Sequence, residues 1–317
     1  MIQANNPLWQ DIQAQGENLR AVIEHLLSHE RKQLEAVAGF AQNEKPIALV
    51  GMGSAEYLCA LAASYLNQHG RPASVISASD AVYTAFPALR KSTVMVNSRS
   101  GETVEVVKLC QKLREEGIPY SVITNEPDST AARLAEHVIW TNTRKDDLVS
   151  INVVTAMMTA TLIAGAAIAG ELDPLLPAVK RLPEILADAV ERSIARADEI
   201  LEFFQGIRPI YLLYRGADKA GAYCGRLVLE EVARQPAVAM EAAEFRQGPI
   251  EVLDQDFGAV VFVPHGSQGQ LSSNLVENIS ANGGKVLAIG NVAQAMPGVL
   301  AFPVTGAPDE LLSITAL

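Results

Sequence analysis

Pro46-Ile47-Ala48-Leu49-Val50-Gly51-Met52-Gly53 is an apolar run that enters after a proline and leaves through two glycines. A short, continuously apolar segment bounded by turn residues reads as a strand buried on both faces of a sheet. The pattern returns 163 positions later as Pro209-Ile210-Tyr211-Leu212-Leu213-Tyr214-Arg215-Gly216, with Pro, Ile, Leu and Gly coinciding at four of eight positions. Outward from the first copy, apolar runs at 74–76, 93–96, 121–124 and 138–141 alternate with amphipathic stretches at 55–67, 103–116 and 130–136. Such alternation predicts a parallel sheet with helices on both faces. In the second half the runs at 259–263, 285–289 and 300–304 answer the third, fourth and fifth strands at nearly the same offset. The expected architecture is α/β: two tandem copies of one parallel-sheet domain at 46–172 and 205–317. A helical leader is expected at 1–45, where Leu19, Val22, Ile23, Leu26 and Leu27 recur with helical spacing, and a helical connector at 173–204.

The composition agrees with two packed domains. The chain has 317 residues, and roughly 150 residues make one domain. Hydrophobic residues at 49% and charged residues at 19% exclude a disordered or low-complexity chain. With 25 Lys+Arg against 36 Asp+Glu the net charge is −11, which repels nucleic acid and requires any anionic ligand to be small and locally held. Cys59, Cys110 and Cys224 are far apart and set in apolar runs, so free buried thiols in a reducing cytoplasm are expected rather than disulfides or a metal site. The opening residues lack the basic and apolar regions of a secretory signal. Residues 148–170 are 23 positions without a charge, long enough to span a bilayer. Their Ala, Gly, Ser and Thr content and the lack of flanking aromatic residues favour a central buried helix and no membrane.

In a parallel sheet, ligands bind outside the carboxyl ends of the strands. Two loops of the first copy stand out there. Val50-Gly51-Met52-Gly53-Ser54-Ala55 permits close backbone approach to a ligand. Asn97-Ser98-Arg99-Ser100-Gly101-Glu102-Thr103 opens a helix with three hydroxyls, a glycine and free N–H groups, a combination suited to a phosphate monoester, and Arg99 could add a charge. The plainer alternative is that Ser98 and Ser100 cap a helix while Gly51 and Gly53 turn the chain. A dinucleotide site is disfavoured: Glu56 stands where the third glycine of G-x-G-x-x-G belongs, and the second strand ends without an acidic residue.

Ser98-Arg99-Ser100-Gly101-Glu102-Thr103 resembles the S-x-S-G-E-T phosphosugar loop of the SIS (sugar isomerase) domain family, which includes the isomerase half of glucosamine-6-phosphate synthase. Gly225 to Glu231 and Glu244-Phe245-Arg246-Gln247-Gly248-Pro249 resemble that family's G-A-L-K-L-K-E and E-L-K-H-G-P segments. The resemblance implies that Ser98, Ser100 and Thr103 bind phosphate through their hydroxyls, that backbone groups of Arg99 and Gly101 assist, and that Gly53 and Ser54 face the sugar. It implies that Glu231 moves a proton between C1 and C2. The bland reading of Glu231 is a solvated helix carboxylate beside Glu230.

Other positions depart from the family. Val228 replaces a lysine, Cys224 a glutamate, and Gln247 the histidine that opens the sugar ring; an amide cannot shuttle a proton as imidazole does. The chain ends at Ala316-Leu317 where the family has a lysine-bearing tail, and it opens at Met1-Ile2-Gln3 with no glutaminase domain expected. The implied function is a phosphosugar isomerase or amino-sugar-phosphate deaminase, or a deglycase, acting on a hexose 6-phosphate-like ligand. No metal or other cofactor is implied, and the resemblance implies a homodimer with shared active sites. The alternative is a non-catalytic phosphosugar sensor whose partner would be another protein.

Overall fold

The computed structural model describes residues 6–292 and 296–315; residues 1–5 of the expected leader, and Ala316 and Leu317, lie outside the described residues. The chain divides into two compact units between Pro183 and Glu184.

The first unit opens with α1 (Pro7–Gln13), α2 (Gln15–Ser28) and α3 (Arg31–Phe40). Asn6 starts α1 by accepting the Leu8 N–H at 3.0 Å, with Pro7 in the first turn, where a missing N–H costs nothing. Leu19, Val22, Ile23 and Leu26 form the buried stripe of α2. Then come β1 (Ile47–Gly51), α4 (Ser54–Tyr57), α5 (Cys59–Gln68), β2 (Ala73–Ser77), α6 (Ala78–Tyr83), α7 (Phe86–Leu89) and β3 (Thr93–Asn97). The unit continues through α8 (Val104–Glu115), β4 (Tyr120–Thr124), α9 (Thr130–Leu134), β5 (His137–Trp140) and α10 (Asn152–Ala169). The five strands pair in parallel in the order β2-β1-β3-β4-β5.

Strand alternation divides the core. Ala48, Val50, Val94, Val96 and Val122 pack with Phe86, Val106, Leu109 and Leu113 from α7 and α8. Ile47, Leu49, Met95 and Ile123 are buried too and point to the other face, which α5 and α10 cover. α10 has the length and mean hydropathy (1.7) of a membrane span, but 89% of it is buried inside the protein. It packs on α2, α3 and α5. Gly165 allows the close approach: a Cβ there would stand 3.3 Å from Ala62 Cβ of α5. Leu162 and Ile163 are fully buried, each stabilising by roughly 1.5–3 kcal/mol relative to exposure.

The second unit begins within α11 (Leu172–Ala195) and continues through α12 (Ala197–Phe203), β6 (Ile210–Tyr214), α13 (Lys219–Glu231), β7 (Ala237–Glu241) and α14 (Ala242–Phe245). It closes with β8 (Gly258–Val263), α15 (Gly266–Ala281), β9 (Lys285–Gly290), β10 (Val299–Pro303) and α16 (Asp309–Thr315). Its strands are again all parallel, in the order β7-β6-β8-β9-β10, the same succession as in the first sheet. β6 reproduces the bounds of β1 at the 163-residue offset.

Three local readings differ from the sequence expectation. The helix expected at 55–67 is interrupted at Leu58. The apolar stretch from 148 becomes helical only at Asn152, because the Asp146 carboxylate captures the first N–H groups there and holds the preceding residues as a loop. β7, a half-buried edge strand, was not expected: its apolar run Ala237-Val238-Ala239-Met240 is half alanine, a residue depleted in strands.

Candidate functional site

The carboxyl ends of β1 and β3 are neighbours because these strands pair directly. β1 ends at Gly51, where a side chain would collide with the Ala55 carbonyl: an added Cβ would meet its oxygen below van der Waals contact. Gly53 has φ +60° and stands at the start of α4, bringing Ser54 to the strand end. This tight return keeps the β1 loop against the β3 loop.

The β3 loop is shaped from inside and outside. The Ser98 hydroxyl accepts the Gly101 N–H at 3.1 Å, and the Ser100 hydroxyl accepts the Glu102 N–H at 3.2 Å. Each hydroxyl so engaged as acceptor still has its own proton to donate toward the pocket. From β4 and the turn after it, Thr124 Oγ1 and the Asn125 N–H both donate to the Arg99 carbonyl at 3.1 Å. From α9, the Ala131 N–H donates to the Gly101 carbonyl at 3.1 Å. The Thr130 N–H donates to Glu102 Oε1 at 2.6 Å, and this bond holds the Glu102 carboxyl below its ordinary range. Neither serine caps α8. Thr103 is the N-cap, and its hydroxyl makes no capping bond. The opening of a 12-residue helix, with its unpaired N–H groups and positive dipole end, faces the same space.

That space is a pocket of about 230 Å³. Its polar side is formed by Ser54, Ser98, Arg99, Ser100 and Thr103, so five of the sequence-predicted binding residues come together; Gly53 and Gly101 shape the loops behind them. The Gly101 N–H is committed to Ser98. The opposite side is apolar, from Met52 and Leu58 to Val153, Val154 and Met157 of α10, with one further hydroxyl, Ser150. The α10 wall and Ser150 were missed from sequence, where this stretch reads only as core.

Glu231 and Gln247 belong to the second unit, and both are exposed. Glu231 is the last residue of α13, which links parallel β6 to β7 and therefore runs back to the amino ends of the strands. Gln247 follows α14, just past the carboxyl end of β7. The two lie at opposite ends of the second sheet. On α13, Cys224 is buried, and burial pushes its thiol up to about 12.

A parallel sheet with a glycine turn after its first strand and a hydroxyl-rich, helix-opening loop after its third defines a doubly wound α/β domain with a polar pocket at the carboxyl ends of its strands. More narrowly, residues 41–168 match the SIS domain family. Over 270 residues the chain is 26% identical to the glutamine–fructose-6-phosphate aminotransferase (isomerizing) of Pyrobaculum aerophilum, covering 83% of this chain and 44% of that protein. The Caulobacter vibrioides protein of the same name is 29% identical over 283 residues, covering 84% of this chain and 46% of its own length. The chain thus spans about half the length of the curated relatives it matches. Among solved structures, the C-terminal domain of the Francisella tularensis glucosamine-fructose-6-phosphate aminotransferase superposes with a TM-score of 0.87 at 20% identity, covering 98% of this chain and 93% of that one. Tagatose-6-phosphate ketose/aldose isomerase from Escherichia coli follows with a TM-score of 0.80 at 19% identity, covering 97% and 89%. At these identities the structural matches speak for the fold.

Proposed function

We propose that this chain binds a hexose 6-phosphate-like sugar in the first-unit pocket and converts it, as an aldose–ketose isomerase or an amino-sugar-phosphate deaminase. The observation that carries the reading is the convergence of the Ser98, Ser100 and Thr103 hydroxyls on the opening of α8, with the Thr103 hydroxyl unspent on capping. Phosphate oxygens would take those hydroxyls and the helix N–H groups, while Ser54 and Ser150 meet the sugar. Moving a proton between C1 and C2 needs a base, and among the described residues Arg99 is the one titratable group that lines the pocket. The exposed Glu231 carboxylate is the proposed base, and the Gln247 amide a hydrogen-bond donor to the sugar.

The proposed organisation is two tandem SIS domains, 46–172 and 205–317, with a leader at 1–45 and a connector at 173–204; the equal strand succession of the two sheets supports it. A homodimer with shared sites is proposed because Glu231 and Gln247 sit at opposite ends of one sheet, so a single second unit does not offer both to one substrate. Three buried free thiols support a cytoplasmic setting. A second reading, a sensor that binds without converting, is favoured by Val228 and Gln247 standing where the family has a lysine and a histidine.

The deciding experiment incubates the protein with fructose 6-phosphate and with glucosamine 6-phosphate, following aldose–ketose conversion and ammonia. Turnover that Glu231→Gln abolishes while binding persists supports the enzyme. Ligand-induced stabilisation without conversion supports the sensor, and calorimetry showing no binding of either sugar refutes both.

A further inference from the structure

We propose that Asp11 and Asp146 are positioning residues for the sugar end of the pocket, acting through Ser150; the inference rests on the phosphosugar reading above. Ser150 is the one pocket-lining hydroxyl that neither the β1 loop nor the β3 loop supplies. It lies in the segment between β5 and α10, which has no regular structure of its own. Two carboxylates hold that segment. Asp146 accepts the Ile151 N–H at 2.9 Å and the Asn152 and Val153 N–H groups at 3.0 Å, and its Oδ1 also accepts from Asn152 Nδ2 at 2.8 Å. It thereby caps α10 from upstream, where Ile151 has no capping side chain. Asp11, fully buried on α1, accepts from the Arg144 guanidinium at 3.0 Å and from the Asp147 N–H at 2.9 Å. Its carbonyl accepts from Asn152 Nδ2 at 3.0 Å, joining the two anchors.

Ser150 is therefore held in a short bridge, with Asp147 tied to α1 on one side and Ile151 tied to Asp146 on the other. The same Asp146 bonds consume the leading N–H groups of α10 and offset its dipole. Of the two long helices that open onto the pocket, only α8 is left to take an anion. The phosphate is directed to the β3 loop and the sugar toward Ser150. A leader helix outside the sheet thus sets the position of a pocket hydroxyl.

The test titrates the full chain and its Asp11→Asn, Asp146→Asn and Ser150→Ala variants with fructose 6-phosphate and with inorganic phosphate by calorimetry. Each variant is expected to weaken fructose 6-phosphate by roughly three- to tenfold, as for one lost hydrogen bond. Inorganic phosphate affinity should stay within about twofold, and Ser150→Ala added to Asp146→Asn should cost nothing more, since both act through one hydroxyl. Hydrogen exchange should accelerate across 147–153 in the aspartate variants. If Asp146→Asn fails to fold, Asp11→Asn with Ser150→Ala carries the same test. Unchanged fructose 6-phosphate affinity, or an equal loss for both probes, overturns the inference. If the unaltered protein binds fructose 6-phosphate and loses it on Ser100→Ala while the aspartate variants keep it, only this inference fails. If the unaltered protein binds neither probe, the phosphosugar reading fails and takes this inference with it.

Discussion

Gly101→Ala is the substitution on which the shape of the β3 loop depends most directly. Gly101 has φ +61°, and a Cβ there would collide with Ser129 Oγ and lie 2.5 Å from Ser129 Cβ. Holding alanine in the left-handed region costs about 1–2 kcal/mol. Ser129 cannot absorb the clash cheaply, because it is buried and caps α9, its hydroxyl accepting the Ala132 N–H at 3.4 Å. Displacing it forfeits a cap worth about 1 kcal/mol. The total is about 2–3 kcal/mol, or about 4–12 °C in melting temperature for a unit of this size. Both tryptophans, Trp9 and Trp140, lie in the first unit, so intrinsic fluorescence during urea or thermal unfolding reports on that unit. Ser129→Gly provides the control: with the obstructing side chain gone, Gly101→Ala should cost only the backbone term of about 1–2 kcal/mol. A Gly101→Ala protein that melts within about 2 °C of the parent, or the same cost in both backgrounds, would refute the reasoning.

Thr103→Val should leave stability within about 0.5 kcal/mol, because no capping bond is lost, yet weaken fructose 6-phosphate binding by roughly tenfold; calorimetry and unfolding of one sample separate the two effects. Gly165→Val should wedge α10 from α5 and destabilise the first unit by about 1–3 kcal/mol, read by the same tryptophan signal. Asp218 gives a pH prediction for the second unit. Burial, helped by the charge of Asp309 and opposed by the Ser313 hydroxyl, raises its carboxyl from 3.8 to about 8. The folded state therefore keeps a proton that the unfolded chain releases, and the contribution of this group to stability declines as pH rises from about 4 to 8. Asp218→Asn should flatten that decline and raise the melting temperature at pH 8, as calorimetry would show; a parent profile with no downward contribution from this group counts against the burial argument.

The parts of the fold that sequence reading recovered are those dictated by local pattern. β1 is continuously apolar because both faces are covered, so its run and its repeat at β6 were visible without coordinates. The Ser98 to Thr103 loop was visible because hydroxyls, glycine and a following amphipathic helix stand adjacent in the chain. What escaped was assembled at a distance. Ser150 reaches the pocket through carboxylates at positions 11 and 146, and no short-range pattern links Asp11 to a loop more than a hundred residues later. Val153 and Met157 were read as core and are core, yet the same side chains also wall the pocket. A periodic apolar pattern reports burial and is silent on whether the neighbour is another side chain or a ligand. β7 escaped because the alanines of Ala237-Val238-Ala239-Met240 give the run little β-propensity.

On the proposed reading, a chain of net charge −11 whose pocket has Arg99 as its one charged lining residue among the described residues must draw its affinity for an anion from geometry. Hydroxyl and N–H dipoles are weak partners singly, and they compete with water unless they already point at the ligand. Here the pointing is enforced from neighbouring elements: β4 and its turn hold the Arg99 carbonyl, α9 holds the Gly101 carbonyl and the Glu102 carboxylate, and Gly101 supplies a backbone conformation other residues resist. The cost of ordering the loop is thus met when the domain folds, before any ligand arrives. This also accounts for the acidity of Glu102, which faces a helix N–H rather than the ligand and so does not repel a phosphate from within the loop that bears it. A basic surface would attract any polyanion, whereas preformed hydroxyl and N–H donors lining a pocket of about 230 Å³ beside the single charge of Arg99 would select a phosphate by size and by the direction of its oxygens.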